Sequence, residues 1–304
     1  MDGIINVYKE AGFTSHDVVA KLRGICRQKK IGHTGTLDPQ ATGVLPVCLG
    51  SATRACEMLT DRTKEYVAEL LLGKITDTQD TTGTVLEERE VAVDEEQVRE
   101  VIGSFVGGYD QIPPMYSALK VNGKKLYELA RAGKEVERQA RHVDLPAIEI
   151  LEIRLPVVKF RVECSKGTYI RSLCADIGGK LGCGGTMQSL VRTRVGEFRL
   201  TDALTLTQLQ EFRDTGRLEE ALLPTDRIFA DFNTVHVEEK WRKLIDNGNA
   251  FYPGQTMEQT TYPVGEWVRV YREDDSFVGI YAYDGAKEWY KPVKIFPSNT
   301  ESRK

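Results

Sequence analysis

The stretch GHTGTLDPQATGVLP, residues 32–46, holds three glycines, three threonines, two prolines and a single acid, Asp38. Glycine and proline interrupt helices and strands, and small hydroxyl residues favour turns, so the run reads as one shaped loop. Gly32, Gly35 and Gly43 permit backbone conformations closed to other residues, and they leave room for a ligand to come near. Leu37 and Pro39 flank the acid with an apolar anchor and a rigid ring, which fixes the direction of its carboxylate. His33 stands five residues before it on the same run. An aspartate on such a loop commonly ties down its own turn. These neighbours fit a loop built instead to present one carboxylate.

Before the loop, Thr14 or Ser15 can cap a helix whose apolar positions Val18, Leu22, Ile25 and Cys26 share one face. Residues 18–37 hold Lys21, Arg23, Arg27, Lys29 and Lys30 and no acid, so this helix delivers a basic end into the loop. After the loop, SATRACEMLT reads as a short helix. KEYVAELLLG then reads as a strand with Tyr66, Ala68, Leu70 and Leu72 on one face, where a tyrosine is commonly a core aromatic. In the turn-rich KITDTQDTTG, Asp77 and Asp80 lack the further ligands of a calcium loop and read as turn caps. DEEQVREVIGSF is an acidic surface helix.

The segment YDQIPPMYSALKVNGKKLYELARAGKEVER enters extended at Pro113-Pro114, turns at Asn122-Gly123 and continues as a basic helix over residues 125–132. Residues 120–142 carry seven basic side chains against three acids. VVKFRVECS is the cleanest strand, and TYIRSLCADIGGKLG is a helix striped by Ile170, Leu173, Ile177 and Leu181. Arg171 lies in its first turn, where the positive end of the helix dipole disfavours a cation. Either solvent surrounds it or an anion, from the protein or a phosphate, holds it. Beyond Pro224, short strands such as EWVRVY and SFVGIYAYD form a small β domain, followed by the polar tail SNTESRK.

A chain of 304 residues has room for one large domain and a small one, and 41% hydrophobic with 28% charged residues is the make-up of a globular protein. No run of about 18 apolar residues exists, which excludes a membrane-spanning helix. The start MDGIINVYKEAGFTS lacks a charged-then-apolar signal pattern, so a cytoplasmic location is expected. Six cysteines without C-x-x-C pairs read as reduced thiols, and four histidines show no metal spacing, so no metal is expected. The net charge of −4 conceals segregated signs, and a positive face toward phosphates remains open to such a chain.

GHTGTLDPQATGVLPVCLG, KEYVAELLLGKITDTQDTTG, PPMYSALKVNGKKLYELARAGKEVER and CSKGTYIRSL occur in that order and spacing. With these four motifs in register, the chain closely resembles the TruB family of bacterial tRNA pseudouridine-55 synthases, from about Ile4 to the last strands. The resemblance implies an α+β pseudouridine synthase fold: a mixed, largely antiparallel central sheet with flanking helices over residues 1–234, and a small PUA-like RNA-binding β domain over 235–304. It places the catalytic aspartate on Asp38, the active-site tyrosine that packs on the target base on Tyr66, and the arginine that pairs with the aspartate on Arg171. Tyr169 and Leu190 then line the pocket, and His33 stacks in the RNA. One departure is Lys9-Glu10, where the family reads Lys-Pro; it removes no catalytic group but loosens the exit of the first strand.

The implied reaction breaks the N1–C1′ bond of uridine, turns the base and rejoins it through C5. Nothing is oxidised or consumed, so no cofactor is expected. One carboxylate, as nucleophile or base, suffices where glycosidases need two, because water is to be excluded rather than activated. The target base must be flipped out of the T loop of tRNA, and the basic segments near Lys29 and Lys124 are the expected phosphate tracks. The expected partner is therefore the tRNA T arm, met by a monomer. A rival reading is an RNA-binding, tRNA-folding module whose catalysis is dispensable; intact Asp38, Tyr66 and Arg171 favour the enzyme. An aspartate-nucleophile hydrolase, suggested only by LDPQAT, lacks a second aspartate and metal ligands.

Overall fold

The computed structural model describes residues 1–121 and 123–297, so Asn122 of the expected turn and the tail SNTESRK lie outside the described residues. The chain runs β1 (Gly3–Lys9), α1 (Ser15–Cys26), β2 (Ile31–His33), β3 (Thr42–Leu49), a 3-10 turn (Gly50–Ala55), α2 (Cys56–Thr60), β4 (Lys64–Leu72), β5 (Lys74–Thr76) and β6 (Val85–Glu88). It continues through α3 (Glu95–Gly103), β7 (Tyr109–Gln111), β8 (Lys120–Val121), β9 (Lys124–Lys125), α4 (Leu126–Arg131), β10 (Arg141–Val143), β11 (Ala147–Arg154) and β12 (Val157–Cys164). Then follow α5 (Ile170–Lys180), β13 (Gly185–Val195), β14 (Phe198–Arg199), α6 (Leu206–Asp214), β15 (Asn233–Val237), α7 (Arg242–Asp246), β16 (Trp267–Arg272), β17 (Phe277–Asp284) and β18 (Trp289–Ile295).

The central sheet has the order β1-β3-β13-β4-β12-β11, with β2 added on β3 and β14 on β13. Within it β3 and β13 run parallel and the other described pairs antiparallel, so the expected mixed, largely antiparallel sheet is observed. Alternation dictates which face is hidden: along β4, Lys64, Tyr66, Ala68, Leu70 and Leu72 are buried, and along β12, Val158, Phe160 and Val162. The α3 and α5 stripes cover that core, while α1 and α6 cover Ile5, Val7, Leu45 and Val47. Thr14 caps α1, its hydroxyl accepting from the Asp17 N–H while Asp17 accepts from the Thr14 N–H.

Residues 32–46 are not one loop. Gly32 and His33 end β2 and Thr42–Leu49 is a strand, so the loop proper is residues 34–41. Pro46 sits inside β3, where a proline is costly unless no partner needs its N–H. Its carbonyl accepts from the Thr34 N–H on the β2 side, and the missing donor faces the same side, beyond the registers of both β2 and β13. Gly32 adopts ordinary strand geometry, whereas Gly35 and Gly43 have φ of +140° and +108°. A side chain at Gly43 would run into the Arg192 backbone, so close approach of β3 to β13 demands glycine there. SATRACEMLT divides into the 3-10 turn and α2, and the basic helix is Leu126–Arg131 rather than 125–132, the expected first residue Lys125 pairing with Lys120 in a hairpin instead.

The strands β15–β18 form a separate four-stranded sheet that begins at Asn233, two residues before the expected boundary. It has its own core around Val235, Phe251, Val268, Val270 and Tyr281. It is not detached: Ile280 and Phe296 share a buried cluster with Ile4, Val44, Cys48, Phe198 and Phe229 of the larger unit.

Candidate active site

The loop 34–41 is tied from several sides, and the turn itself is closed without the Asp38 carboxylate. The Leu37 N–H donates to Ser15 Oγ at 3.0 Å, and the Gly12 N–H donates to the Pro39 carbonyl at 2.9 Å. Lys9 Nζ donates to the carbonyls of Glu10, Pro39 and Ala41 at 3.0, 3.0 and 2.6 Å. Asp38 itself contributes only its carbonyl, which accepts from the Ala41 N–H. The turn is therefore closed by its surroundings and the carboxylate is left for other work. The exit of β1 is likewise firm despite Glu10 in place of proline, because the Lys9 ammonium cross-links it to the loop. Burial, helped by the Arg192 cation, pushes Lys9 down to about 8 against the opposing pull of Asp38.

Arg171 is held by an anion and by carbonyls, not by solvent. Its Nε donates to Asp38 Oδ2 at 2.8 Å and its Nη2 to Asp38 Oδ1 at 3.3 Å. Nη1 donates to the Thr78 carbonyl at 2.9 Å and Nη2 to that of Tyr116 at 2.8 Å. The fork thus pins three separate segments to the first turn of α5, and planar bidentate pairing fixes the carboxylate's orientation. The two partners differ in access: the Arg171 side chain is 5% exposed and that of Asp38 is 37% exposed. The cation is hidden behind the acid it orients.

A second carboxylate, legible in the sequence only as a turn cap, stands near. Asp80 Oδ2 is 3.9 Å from Arg171 Nε. Its Oδ1 accepts from the hydroxyls of Thr78 and Thr82 and from the Thr82 N–H, and Asp77 accepts from the Thr84 N–H. Both acids are turn caps, as their spacing suggested.

Tyr66 and Leu190 are buried in the same cluster as Leu37, next to Asp38, and Ile170, between Tyr169 and Arg171. Burial raises the Tyr66 hydroxyl, which outweighs the nearby Arg192 cation, so the phenol stays neutral. Tyr169 is half-buried and raised mainly by burial. His33 ends β2 in edge contact with His16, ring centres 5.3 Å apart, and burial lowers its pKa, leaving a neutral ring suited to stacking. The structure therefore pairs Asp38 with Arg171 two residues after Tyr169, sets Tyr66 and Leu190 in the buried cluster beside them, and leaves His33 at the end of β2 against His16.

The two lysines separate. Lys124 lies on the β8–β9 hairpin, shortly after Tyr116, whose carbonyl accepts from Arg171. Lys29 is exposed beyond the C-terminal end of α1, whereas it is the N-terminal end, at Ser15, that touches the loop. Twelve helical residues separate those ends, about 18 Å. The basic end of the helix is thus adjacent to the loop in sequence and remote from it in space. Arg192 was missed: 1% exposed, it donates from Nε to the Val44 carbonyl at 2.7 Å behind the loop. An arginine in the alternating run SLVRTRV gives no sign of its face until the neighbouring strands are known. Among the described residues, no group of three or more His, Cys, Asp or Glu is arranged to hold a metal.

Among solved structures, a Cbf5-Nop10-Gar1 complex matches over 97% of this chain and 84% of that chain, with 29% identity and a TM-score of 0.73. An H/ACA RNP bound to a substrate RNA containing 2′-deoxyuridine matches with the same TM-score and coverage at 27% identity.

The model of the TruB family pseudouridylate synthase N-terminal domain matches residues 23–170, and that of the tRNA pseudouridylate synthase B C-terminal domain matches residues 171–230. The tRNA pseudouridine synthase B of Lachnoclostridium phytofermentans is 53% identical over 97% of this chain and 100% of its own length, and that of Bacillus cytotoxicus is 40% identical over 99% of both. The chain belongs to the TruB family of pseudouridylate synthases.

Proposed function

We propose that this enzyme isomerises uridine 55 in the T loop of tRNA to pseudouridine, with Asp38 as the acting carboxylate. The observation that carries this reading is the asymmetry of the Asp38–Arg171 pair: a bidentate pair in which the acid is open to a ligand and the cation is not. The arginine orients the carboxylate, as nucleophile at the base or ribose or as base at the 2′ position. Tyr66 stacks on the flipped base, Tyr169 and Leu190 wall the pocket, and His33 stacks within the opened RNA loop. Excluding water prevents loss of the detached base between cleavage of N1–C1′ and formation of C5–C1′.

Flipping costs a few kcal/mol, which stacking and phosphate contacts offset. Lys124 contacts phosphates beside the target, and Lys29 phosphates further along the arm. Residues 1–234 form the catalytic domain and 235–304 a PUA-like domain that adds tRNA affinity; the chain works in the cytoplasm as a monomer. The decisive test is mapping pseudouridine in unmodified tRNA transcripts after incubation with the purified protein. Modification confined to position 55 is expected; a transcript left unmodified, or modified elsewhere, refutes the assignment.

A further inference from the structure

Tyr169 immediately precedes α5, and its side chain makes no cap to that helix. Its carbonyl accepts from the Leu173 N–H at 3.0 Å within the helix, and one amide from elsewhere in the chain engages both its N–H and its carbonyl. Gln111 Oε1 accepts from the Tyr169 N–H at 2.8 Å, and Gln111 Nε2 donates to the Tyr169 carbonyl at 3.0 Å. The remaining proton of Nε2 goes to the Tyr109 hydroxyl at 2.6 Å, which donates in turn to Asp176 Oδ2 at 2.8 Å. Asp176 lies two turns along α5, so the chain of bonds starts and ends on the helix that carries Arg171. The orientation of the amide is settled by chemistry: an N–H can only donate, so the atom facing Tyr169 N is the oxygen. Gln111 is 1% exposed and every polar atom of its side chain is engaged.

We infer that Gln111 is a positioning residue for the reaction, acting through Tyr169. It locks the start of α5 in register with the segment that runs from Gln111 to Tyr116, and the Tyr116 carbonyl accepts from Arg171 two residues further along the helix. One segment therefore sets both the tyrosine that walls the pocket and the arginine that orients Asp38. Glutamine suits this task because it offers an acceptor and two donors on one plane. Glutamate lacks the donors, and asparagine is a methylene shorter. With Gln111 disabled, Arg171 keeps its bonds to Asp38, Thr78 and Tyr116, so the fold survives while the Tyr169 backbone slackens. The inference rests on the reading of Asp38, Arg171 and Tyr169 as parts of the reacting site.

The test compares full-length Gln111→Met, Gln111→Glu and Tyr109→Phe with the wild type by three measurements. Amide hydrogen exchange at Tyr169 reports the clamp, filter binding reports tRNA affinity, and single-turnover conversion at saturating enzyme reports positioning. In Gln111→Met, Tyr169 exchange should quicken at least about tenfold and conversion should slow at least about tenfold, with Kd within threefold. Tyr109→Phe leaves both bonds to Tyr169 intact and should slow conversion no more than about threefold. Conversion by Gln111→Met within twofold of wild type overturns the inference, as does a loss of affinity that matches the loss of rate. If the methionine variant does not fold, Gln111→Glu decides: it retains the acceptor alone, so a slower conversion at unchanged Kd supports the clamp and an unchanged rate refutes it. A wild-type chain that forms no pseudouridine would instead refute the functional reading, and the exchange measurement would still report the clamp.

Discussion

Residues 34–41 and the sheet β15–β18 are both joined to the body of the molecule, by different physics. The loop is held by directed bonds: Lys9 on two of its carbonyls, Ser15 on one N–H, Gly12 on Pro39, and the Arg171 fork on its carboxylate. The sheet is held by rings, with Phe277 and Phe296 packed on Phe229 at centroid distances of 6.2 and 5.9 Å, and by few polar ties, such as Arg54 to the Ile295 carbonyl. Hydrogen bonds fix angle and register, as a reacting carboxylate requires; apolar contacts supply stability but tolerate small displacements. Changes at the loop should therefore appear in the rate at nearly constant stability. Changes at the ring contact should do the reverse.

The largest effect is expected at Asp38. Asp38→Asn is nearly isosteric and keeps an oxygen for Arg171, so the loop and the tRNA affinity should persist within a few-fold, while tritium release from C5-labelled uridine falls below detection. Substantial release would return Asp38 to the rank of a turn residue. Phe229→Ala should come next in energy, lowering stability by about 3–5 kcal/mol in denaturant unfolding, yet leaving conversion by the folded fraction within about twofold. A collapsed rate in a variant shown to be folded would mean that the β15–β18 sheet sets the site's geometry. Removing everything after residue 234 would strip the partners from Phe229 and its cluster, so the shortened chain should be destabilised rather than merely weaker in binding.

Arg171→Lys retains the charge but not the planar fork, and should cost at least about tenfold in turnover, roughly 1.4 kcal/mol, with tRNA binding little changed. Wild-type turnover would show that a point charge suffices. Smaller is the pH effect of Lys9. Raising the pH through about 8 removes one of its three donors and should slow conversion a few-fold by loosening the loop. Its effect on stability has the opposite sign. The unfolded chain, with an ordinary lysine at 10.5, binds more protons than the folded one between about 8 and 10.5, so this group makes stability rise with pH across that window. Lys64, also pushed to about 8 by burial, titrates in the same range, so the profile should be repeated in Lys64→Met; disappearance of the rate effect there would clear Lys9. The smallest change belongs to Lys124→Gln, an affinity loss of about threefold with a salt slope shallower by about 0.7–0.9, and less again for Lys29→Gln. Equal losses at both lysines would mean that the RNA lies along α1 as closely as along the hairpin.

What could be read from the residues alone was whatever depends on neighbours along the chain. The alternation of β4 and β12, the cap of α1, the awkward cation at the start of α5 and the carboxylate singled out between Leu37 and Pro39 are all local, because backbone geometry and side-chain period act over a few residues. Tertiary structure decided what depends on strands far apart in sequence. Pro46 lies within a strand because the registers of β2 and β13 on its open side both stop short of it. Lys29 is remote because α1 turns its other end to the loop. Lys9, Arg192 and Gln111 carry buried polar groups whose role is set by carbonyls and amides from distant segments. A buried hydrogen bond obliges its partner to be present, yet nothing in a residue's own neighbourhood in sequence names that partner, and only the fold brings the two together.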